Sequence, residues 1–329
     1  MELQFLGTSS GTPSRARNVS GLALRATGSK HWYLVDCGEG TQHRILRTNY
    51  SPMSLRAIFI THIHGDHCYG LPGLLASAGL LNRNEPLLIA GPPAVERFVR
   101  GVMESTELRL PYAVEFASVD AGWTLATLPD FRVEAAELSH RVPSFAFAFT
   151  EKAIERRLDI DKLERDGIAS GPGWGQLQRG EDIALPDCRV ARSADYVLPG
   201  RRPRKLIVAG DNDTPSLLAA QAQDAQVLVH EATYTEEVLQ RVGPGPQHSS
   251  ARATAAFAQE AGIPNLVLTH FSPRYQPAGN GSSGSPSMAD LEAEARAAYD
   301  GNLFLASDLQ RYTLDRQGAL AAVPPSNGN

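Results

Sequence analysis

Short apolar runs separated by turns dominate the first 140 residues, a pattern typical of β-strands with few helices. The run Leu55–Thr61 has a continuously apolar centre, which predicts a strand buried on both faces. Further runs predict strands at Glu2–Gly7, Gly21–Thr27, His31–Asp36, Leu87–Ala90, Val114–Val119 and Arg132–Leu138. Helical spacing predicts helices at Leu71–Leu81 and Ala94–Ser105.

Beyond residue 204 the chain alternates strands and helices more regularly. Strands are predicted at Lys205–Gly210, Val227–His230, Leu266–Thr269 and, as the last one, Leu303–Ala306. Helices are predicted at Thr214–Gln223, Ser249–Glu260 and Met288–Tyr299, with Ser249 or Ser250 capping the second. This order fits an α/β fold in which two sheets pack face to face with helices outside, an αββα sandwich.

Two polar segments interrupt the apolar pattern. Residues 151–204 are charged and rich in glycine and proline between two apolar strands, which predicts an inserted arm outside the core. Pro277–Pro286 contains Gly-Asn-Gly-Ser-Ser-Gly and is predicted to be a flexible loop. We therefore expect one domain over residues 1–320 carrying the arm, followed by a flexible tail at 321–329.

Composition limits the classes of function. With 329 residues, 42% of them hydrophobic, the chain has ample material for a large core. The net charge of −5 predicts no overall basic field, so nucleic-acid binding would require a local patch. Three widely spaced cysteines argue against a disulfide framework and suit a reducing cytosol. The absence of an apolar leader or long apolar span predicts a cytoplasmic protein without membrane association.

The most informative motif is Thr61-His62-Ile63-His64-Gly65-Asp66-His67, directly after the apolar strand ending at Thr61. In an extended chain, residues two apart point to the same side, so His62 and His64 are placed to bind one metal ion together. We expect Gly65 to allow a sharp turn, after which Asp66 and His67 face a second ion. Two divalent ions sharing a water molecule suit hydrolysis of a phosphodiester.

Two ions require more ligands than this motif supplies, and further candidates follow later apolar strands. His140 follows the strand at Arg132–Leu138, Asp211 follows Lys205–Gly210, and His270 follows Leu266–Thr269. Ligands at strand ends rest on a rigid frame, which favours precise geometry. Asp211 is the expected bridging ligand because a carboxylate has two oxygens, although Asp213 remains a rival two residues away.

A further group consists of His230, Glu231 and His248. His248 lies between a Gly-Pro loop and a predicted helix, where an imidazole is placed to bind a phosphate or to protonate a leaving oxygen. Glu231 is a candidate to fix the tautomer of His248. His230 is interpreted equally well as a buried residue of the core.

Several strings together resemble the ribonuclease Z family, the endonucleases of the metallo-β-lactamase superfamily that trim the 3′ end of precursor tRNA. The histidine motif indicates only the superfamily, whereas other strings are more specific to the family. They are FLGTSSGTPSRARNVS, VDCGEGTQHRIL, LSHRVPSFAFAF, VHEATY, HSS and LTHFSPRY, within residues 1–275.

The resemblance implies the division of ligands between two Zn²⁺ ions, with Mn²⁺ or Fe²⁺ as alternatives. One ion would be held by His62, His64 and His140, the other by Asp66, His67 and His270, with Asp211 bridging them. Asp66 would also accept the proton of the attacking water. His248, supported by Glu231, would contact the scissile phosphate. No organic cofactor is implied.

The resemblance also implies a role for residues 151–204 as an exosite that binds precursor tRNA in a homodimer, each arm serving the partner's site. A basic cluster near the base of the arm would contact phosphates: Arg201, Arg202, Arg204 and Lys205. Two other hypotheses remain open at this point. One is a phosphodiesterase or esterase of the same fold that acts on small substrates, and the other is a non-catalytic, metal-stabilised RNA-binding module.

Overall fold

A computed structural model describes residues 1–152, 154, 156–276 and 286–324. Its strands are β1 (Glu2–Gly7), β2 (Gly21–Arg25), β3 (Trp32–Val35), β4 (Leu55–Phe59), β5 (Leu87–Gly91), β6 (Val114–Ser118), β7 (Thr124–Leu125), β8 (Phe131–Leu138), β9 (Ser144–Glu151), β10 (Ile183–Ala184), β11 (Val190–Ala191), β12 (Lys205–Ala209), β13 (Val227–Glu231), β14 (Asn265–Thr269), β15 (Asn302–Leu305), β16 (Arg311–Leu314) and β17 (Leu320–Val323).

The α-helices are α1 (Thr41–Ile45), α2 (Gly65–Cys68), α3 (Leu71–Leu80), α4 (Pro93–Ser105), α5 (Ile160–Arg165), α6 (Pro172–Arg179), α7 (Ser193–Tyr196), α8 (Ala219–Ala222), α9 (Glu236–Val242), α10 (Ala251–Glu260) and α11 (Met288–Arg296). Short 3₁₀ turns lie at Pro52–Ser54 and Pro215–Leu218. Within the described ranges, no helix has the length and apolar character needed to cross a membrane.

Two large sheets form the body of the molecule, residues 1–150 with 204 onwards. The first has the order β17-β16-β1-β2-β3-β4-β5-β6, and the second the order β15-β14-β13-β12-β9-β8-β7. β4 lies between two parallel neighbours, β3 and β5, and buries side chains on both faces, as its apolar centre predicts. In the second sheet β12, β13, β14 and β15 are also parallel, so their carboxyl ends lie at one edge.

Aromatic side chains join the facing surfaces of the two sheets. The ring of Phe59 on β4 lies 5.2 Å from that of Phe147 and 5.1 Å from that of Phe149, both on β9. Two further apolar clusters cover the outer faces, one beneath α3 and α4 and one beneath α10 and α11. The body is therefore the αββα sandwich that the order of elements predicts.

Some elements differ from expectation. β9 was not predicted, although its alternating sequence places phenylalanines in the central core and alanines in the outer cluster. The expected helix at Thr214–Gln223 is a 3₁₀ turn, Pro215–Leu218, followed by the short α8. The expected loop at Pro277–Pro286 falls, except for Pro286, outside the described residues.

The carboxyl-terminal part of the domain extends further than predicted. The strand predicted at Leu303–Ala306 corresponds to β15 and is not the last one, because β16 and β17 follow it as a hairpin. Asp315 stabilises the turn by accepting hydrogen bonds from the backbone N–H groups of Gln317 and Ala319. The start of the predicted tail at 321 is therefore wrong, since residues 321–323 pair with β16 and Leu320 is buried.

Residues 151–203 form a second compact unit, the arm. Its core consists of Leu163, Ile168, Leu177, Ala191 and Tyr196, and β10 pairs with β11 in a two-stranded sheet. Inside the arm the Tyr196 hydroxyl donates a hydrogen bond to Asp166 at 2.8 Å. The arm thus has a polar composition and also a small apolar core of its own.

Candidate metal centre and active site

Strand ends bring the candidate side chains together in the body. The His62–His67 motif follows β4, His140 follows β8, Asp211 follows β12 and His270 follows β14. Because β12 and β14 are both parallel to β13, their carboxyl ends deliver Asp211 and His270 to one edge of the second sheet. The sequence predicts which strand ends carry these residues, and the parallel pairing in the structure brings those ends together.

His62, His64, His140 and Asp211 form the first group that could hold a metal ion. The Nε2 atom of His140 lies 3.1 Å from Nδ1 of His64 and 3.7 Å from Oδ2 of Asp211. Oδ2 of Asp211 also lies 3.6 Å from Nε2 of His62. Burial lowers the pKa of all three histidines below the ordinary value, which favours the neutral imidazole that binds metals.

Asp66, His67 and His270 form the second group. The Nε2 atoms of His67 and His270 lie 3.2 Å apart, and those atoms are 3.5 and 3.3 Å from Oδ2 of Asp66. Burial raises the pKa of Asp66, but the charges and hydrogen bonds of His67 and His270 outweigh burial and hold that pKa well below its usual range. Asp66 is therefore an ionised carboxylate.

Asp211 lies between the two groups. Its Oδ2 faces His62 and His140, whereas its Oδ1 lies 3.4 Å from Nε2 of His67 and 3.3 Å from Nε2 of His270. Asp213 does not join either group; its Oδ1 accepts a hydrogen bond from the hydroxyl of Thr214. The geometry places Asp211, not its rival, where one carboxylate reaches both groups.

One buried atom tests whether this cluster fits metal ions. Nε2 of His62 is inaccessible and has no hydrogen-bond partner among the described residues. An imidazole nitrogen buried without a partner is costly, and coordination would satisfy it. Histidine nitrogens and carboxylate oxygens are donors that zinc prefers. The residues present therefore fit a metal centre.

The reason for Gly65 differs from the expected sharp turn. Gly65 begins α2 with no left-handed backbone, but a Cβ atom there would approach the ring of Tyr69 to 2.2 Å. Any larger residue at this position would have to displace the exposed ring of Tyr69, so glycine suits the close approach at the start of α2, the helix that carries Asp66 and His67. Left-handed backbone occurs instead at His270, with φ of 56°. Such strain in a residue other than glycine is common at functional sites.

Several residues that orient the cluster were not found from the sequence. Asp36, at the end of β3, accepts a hydrogen bond from Nδ1 of His67 at 2.7 Å and also binds the N–H group of Thr61. Thr233 contacts Nδ1 of His270 at 3.0 Å. The carbonyl of Gln247 faces Nδ1 of His140 at 3.0 Å. The sequence places Asp36 at the end of the predicted strand His31–Asp36 and gives no indication of this contact.

His248 and Glu231 form a buried pair beside the cluster. Nδ1 of His248 lies 3.1 Å from Oε1 of Glu231, which also accepts the backbone N–H of Asn212 at 2.7 Å. Burial lowers the pKa of His248, but the Glu231 carboxylate outweighs burial and raises that pKa to about 9. His230 lies nearby, fully buried, and contacts the side chains of Asn212 and Thr254. His230 therefore supports the core and belongs to neither of the two groups of candidate metal ligands.

A cavity of about 400 Å³ opens over the cluster. Its walls include Asp66, His248 and Arg141, together with the loop at Ser10–Pro13. The backbone N–H of Gly11 in that loop donates a hydrogen bond of 2.7 Å to Oδ2 of Asp66. The cavity thus places a cationic imidazole and an arginine where they attract an anionic substrate, whereas the carboxylates of Glu39, Asp66 and Asp211 on the same wall require bound cations to offset their charge.

Comparison with known proteins gives relatives over nearly the whole chain. Ribonuclease Z of Marinobacter nauticus is 54% identical over 98% of this chain and 99% of its own. Ribonuclease Z of Pseudomonas putida KT2440 is 51% identical with the same coverage, and that of Brevibacillus brevis is 42% identical over 96% and 98%. The family model of the anti-Pycsar protein Apyc1 matches residues 1–155, less than half of the chain.

Solved structures share the fold. The short form of human tRNase Z covers 96% of this chain and 100% of its own, with a TM-score of 0.66 and 26% identity. The metallo-β-lactamase fold protein YhfI of Bacillus subtilis covers 94% and 98%, with a TM-score of 0.64 and 17% identity. The second likeness concerns the fold alone.

Proposed function

The chain belongs to the ribonuclease Z family, and we propose that its histidine–aspartate cluster binds two zinc ions for the cleavage of precursor tRNA. The observation that carries the proposal is Asp211, whose two carboxylate oxygens face the two separate groups of ligands. Mn²⁺ and Fe²⁺ are the alternative ions. Metal binding itself follows from the family and from the donor set.

The predicted family, the metallo-β-lactamase fold and the enzyme class are confirmed by these relatives. The chain is a hydrolytic endoribonuclease that processes the 3′ end of tRNA. A non-catalytic RNA-binding module is therefore excluded. Hydrolysis of small phosphodiesters by the same site remains a second activity to be compared with RNA cleavage.

Each ligand group has a defined part in the proposed centre. His62, His64 and His140 would hold one ion, Asp66, His67 and His270 the other, and Asp211 would bridge them. When bound, the ions supply Lewis-acid chemistry, lowering the pKa of water and neutralising the phosphate charge. Asp36 holds Nδ1 of His67 and thereby presents its Nε2 to the centre.

The protein's own side chains move the protons. Asp66, an ionised carboxylate, accepts the proton of the attacking water, whose pKa bound metal ions would lower. His248 is cationic at neutral pH and donates a proton to the leaving 3′ oxygen. Glu231 keeps His248 charged and oriented. Arg141, on the cavity wall, offers a guanidinium to the phosphate oxygens.

The arm is proposed as the part that binds tRNA at a distance from the cut. It carries equal numbers of acidic and basic side chains, so its affinity for phosphate must come from a local arrangement. The expected basic cluster is partly engaged in structural contacts. Arg201 pairs with Glu151 at 2.7 Å, Arg204 is buried against the carbonyl of Leu314, and Lys205 contacts the carbonyl of Gln223.

A homodimer is proposed as the working assembly. Large apolar side chains that are exposed at or just after α1, α2 and α3 are the candidates for contact with the partner subunit. They are Leu46, Tyr69, Leu80 and Leu81. Analytical ultracentrifugation of the wild type and of a Leu80→Ser, Leu81→Ser variant tests this; a monomeric wild type contradicts it. A cytoplasmic location stays a prediction.

The test of the proposed function combines metal analysis with mapping of the cut on one precursor tRNA. We expect about two metal ions per chain, as a dinuclear centre requires, and cleavage at the 3′ trailer. Asp66→Ala should abolish cleavage while the circular dichroism spectrum stays native. Turnover like that of the wild type by this variant would remove Asp66 from the mechanism. One ion per chain in a fully active enzyme would contradict the bridging role of Asp211.

A further inference from the structure

A second cavity, of about 420 Å³, lies at the edge of the first sheet. It shares no lining residue with the active-site cavity. Its walls come from β1, β2, the turn after α1, and the segment that leads into β16. The chemistry of this wall is not used by the hydrolytic mechanism.

Three arginines give the cavity a positive character: Arg25, Arg47 and Arg311. Arg25 forms an ion pair with Glu2, whereas Arg47 and Arg311 have no acidic partner within the described parts of the chain. Asp308 is the single acid on the wall, and its carboxylate is already bound by Arg44, by the hydroxyl of Thr8 and by the N–H of Asn18. Positive charge therefore remains for an anion.

Two buried polar atoms on this wall lack partners among the described residues. They are the hydroxyl of Tyr50, a residue only 7% exposed, and Nε of Arg25. The Arg25 guanidinium lies over the Tyr50 ring at 5.2 Å, so the two unsatisfied groups are neighbours. Buried polar groups without partners are rare. Both atoms are closed to solvent, so a ligand in the cavity would reach them only after a shift of the Arg25 or Tyr50 side chain.

Amide side chains hold the rest of the wall in place. Gln4 donates to the carbonyl of Leu309 at 2.9 Å, and Gln310 donates to those of Arg311 and Val323 at 2.8 and 2.9 Å. These bonds hold the segment before β16, which leads to Arg311, against β1 and β17. The cavity is thus a preformed structure, as small-molecule sites usually are.

We propose that this cavity binds a phosphomonoester of mononucleotide size. A phosphomonoester carries nearly two negative charges at neutral pH, which matches several arginines better than a singly charged phosphodiester does. Guanidinium groups bind phosphate oxygens through paired hydrogen bonds. The volume lies within the range of small-ligand sites, which run from about 300 to 1,000 Å³. The ligand is a free nucleotide or the 5′-phosphorylated end of a short RNA.

The experiment measures binding to the metal-loaded enzyme by equilibrium dialysis. The probes are inorganic phosphate, adenosine 5′-monophosphate, adenosine, and a short RNA with or without a 5′-phosphate. The variants are Arg47→Ala with Arg311→Ala, and Tyr50→Phe; Arg97→Ala, an exposed arginine on α4, is the control. Because phosphates also bind metal centres, arginine modification by phenylglyoxal, mapped by mass spectrometry, locates the site.

We expect adenosine 5′-monophosphate to protect Arg47 and Arg311, but not Arg97, from modification. The double variant should bind this nucleotide at least about tenfold more weakly, and Tyr50→Phe about threefold to tenfold more weakly at unchanged thermal stability. Stronger binding of the 5′-phosphorylated RNA than of the nucleotide would identify an RNA end as the ligand. Equal binding by the double variant and the wild type, or equal binding of adenosine and its monophosphate, would overturn the proposal.

Discussion

The body and the arm of this protein support their functional side chains in different ways. In the body, rigid strand ends from two large sheets deliver buried histidines and aspartates to one place. The arm has a core of five buried side chains, a two-stranded sheet and a balanced set of surface charges. The candidate metal ligands thus lie in the part of the molecule whose backbone is held most firmly by strand pairing. Under the proposed function, binding of the large RNA substrate falls to the arm, a unit with only a small core.

Among tests of this contrast between body and arm, the largest effect is expected at Asp211, the proposed bridging ligand. Asp211→Asn removes a charged ligand from both groups and should lower metal content and cleavage of every substrate. The loss should exceed the roughly 100-fold that changes in outer-shell partners reach. Asp213→Asn is the matched control and should keep nearly full activity, because the Asp213 side chain belongs to neither ligand group and accepts a hydrogen bond from the hydroxyl of Thr214. Metal analysis and cleavage rates of both variants are the measurements.

Asp36→Asn tests whether a residue that only orients a ligand contributes to zinc affinity. Its carboxylate fixes the ring of His67, so we expect zinc affinity and activity to fall by about 10-fold to 100-fold. Competition with a fluorescent zinc chelator measures the affinity, and activity at saturating zinc separates binding from catalysis. Unchanged zinc affinity would mean that Asp36 stabilises only the backbone of Thr61.

Glu231→Gln tests whether the charge of Glu231 keeps His248 protonated. His248 must be protonated to act as an acid, and Glu231 raises its pKa to about 9. Without that charge, burial remains and lowers the pKa, so the alkaline limb of the kcat/KM profile should move to lower pH. A pH–rate profile of both enzymes measures the shift. An unmoved alkaline limb would show that another group controls it.

The sequence predicted much of this site because spacing alone determines which strand ends carry ligands. The interval of two between His62 and His64, and the position of Asp211 directly after β12, needed no knowledge of the tertiary structure. Asp36 could not be found in the same way. Its contact with His67 depends on the pairing of β3 with β4, which a list of strands does not specify.

Local features of the fold escaped prediction for similar reasons. β9 alternates phenylalanine with alanine, and both sets are buried because the strand lies in the middle of the second sheet. The hairpin of β16 and β17 is short and joins the first sheet only through its partner β1. The pairing of strands that are far apart in the sequence cannot be predicted from the β-propensity of each segment.

Removal of the arm should have the smallest effect on hydrolysis itself and should reduce mainly the cleavage of precursor tRNA. Thr150 on β9 lies opposite Lys205 on β12, so a short hairpin loop can replace residues 151–203 without disturbing the second sheet. Cleavage of precursor tRNA should fall at least about tenfold in kcat/KM, which corresponds to about 1.4 kcal/mol of lost binding. Hydrolysis of bis-p-nitrophenyl phosphate and the metal content should stay close to those of the intact enzyme. Equal losses for both substrates would show that the arm supports the body itself, and equal retention would remove it from tRNA recognition.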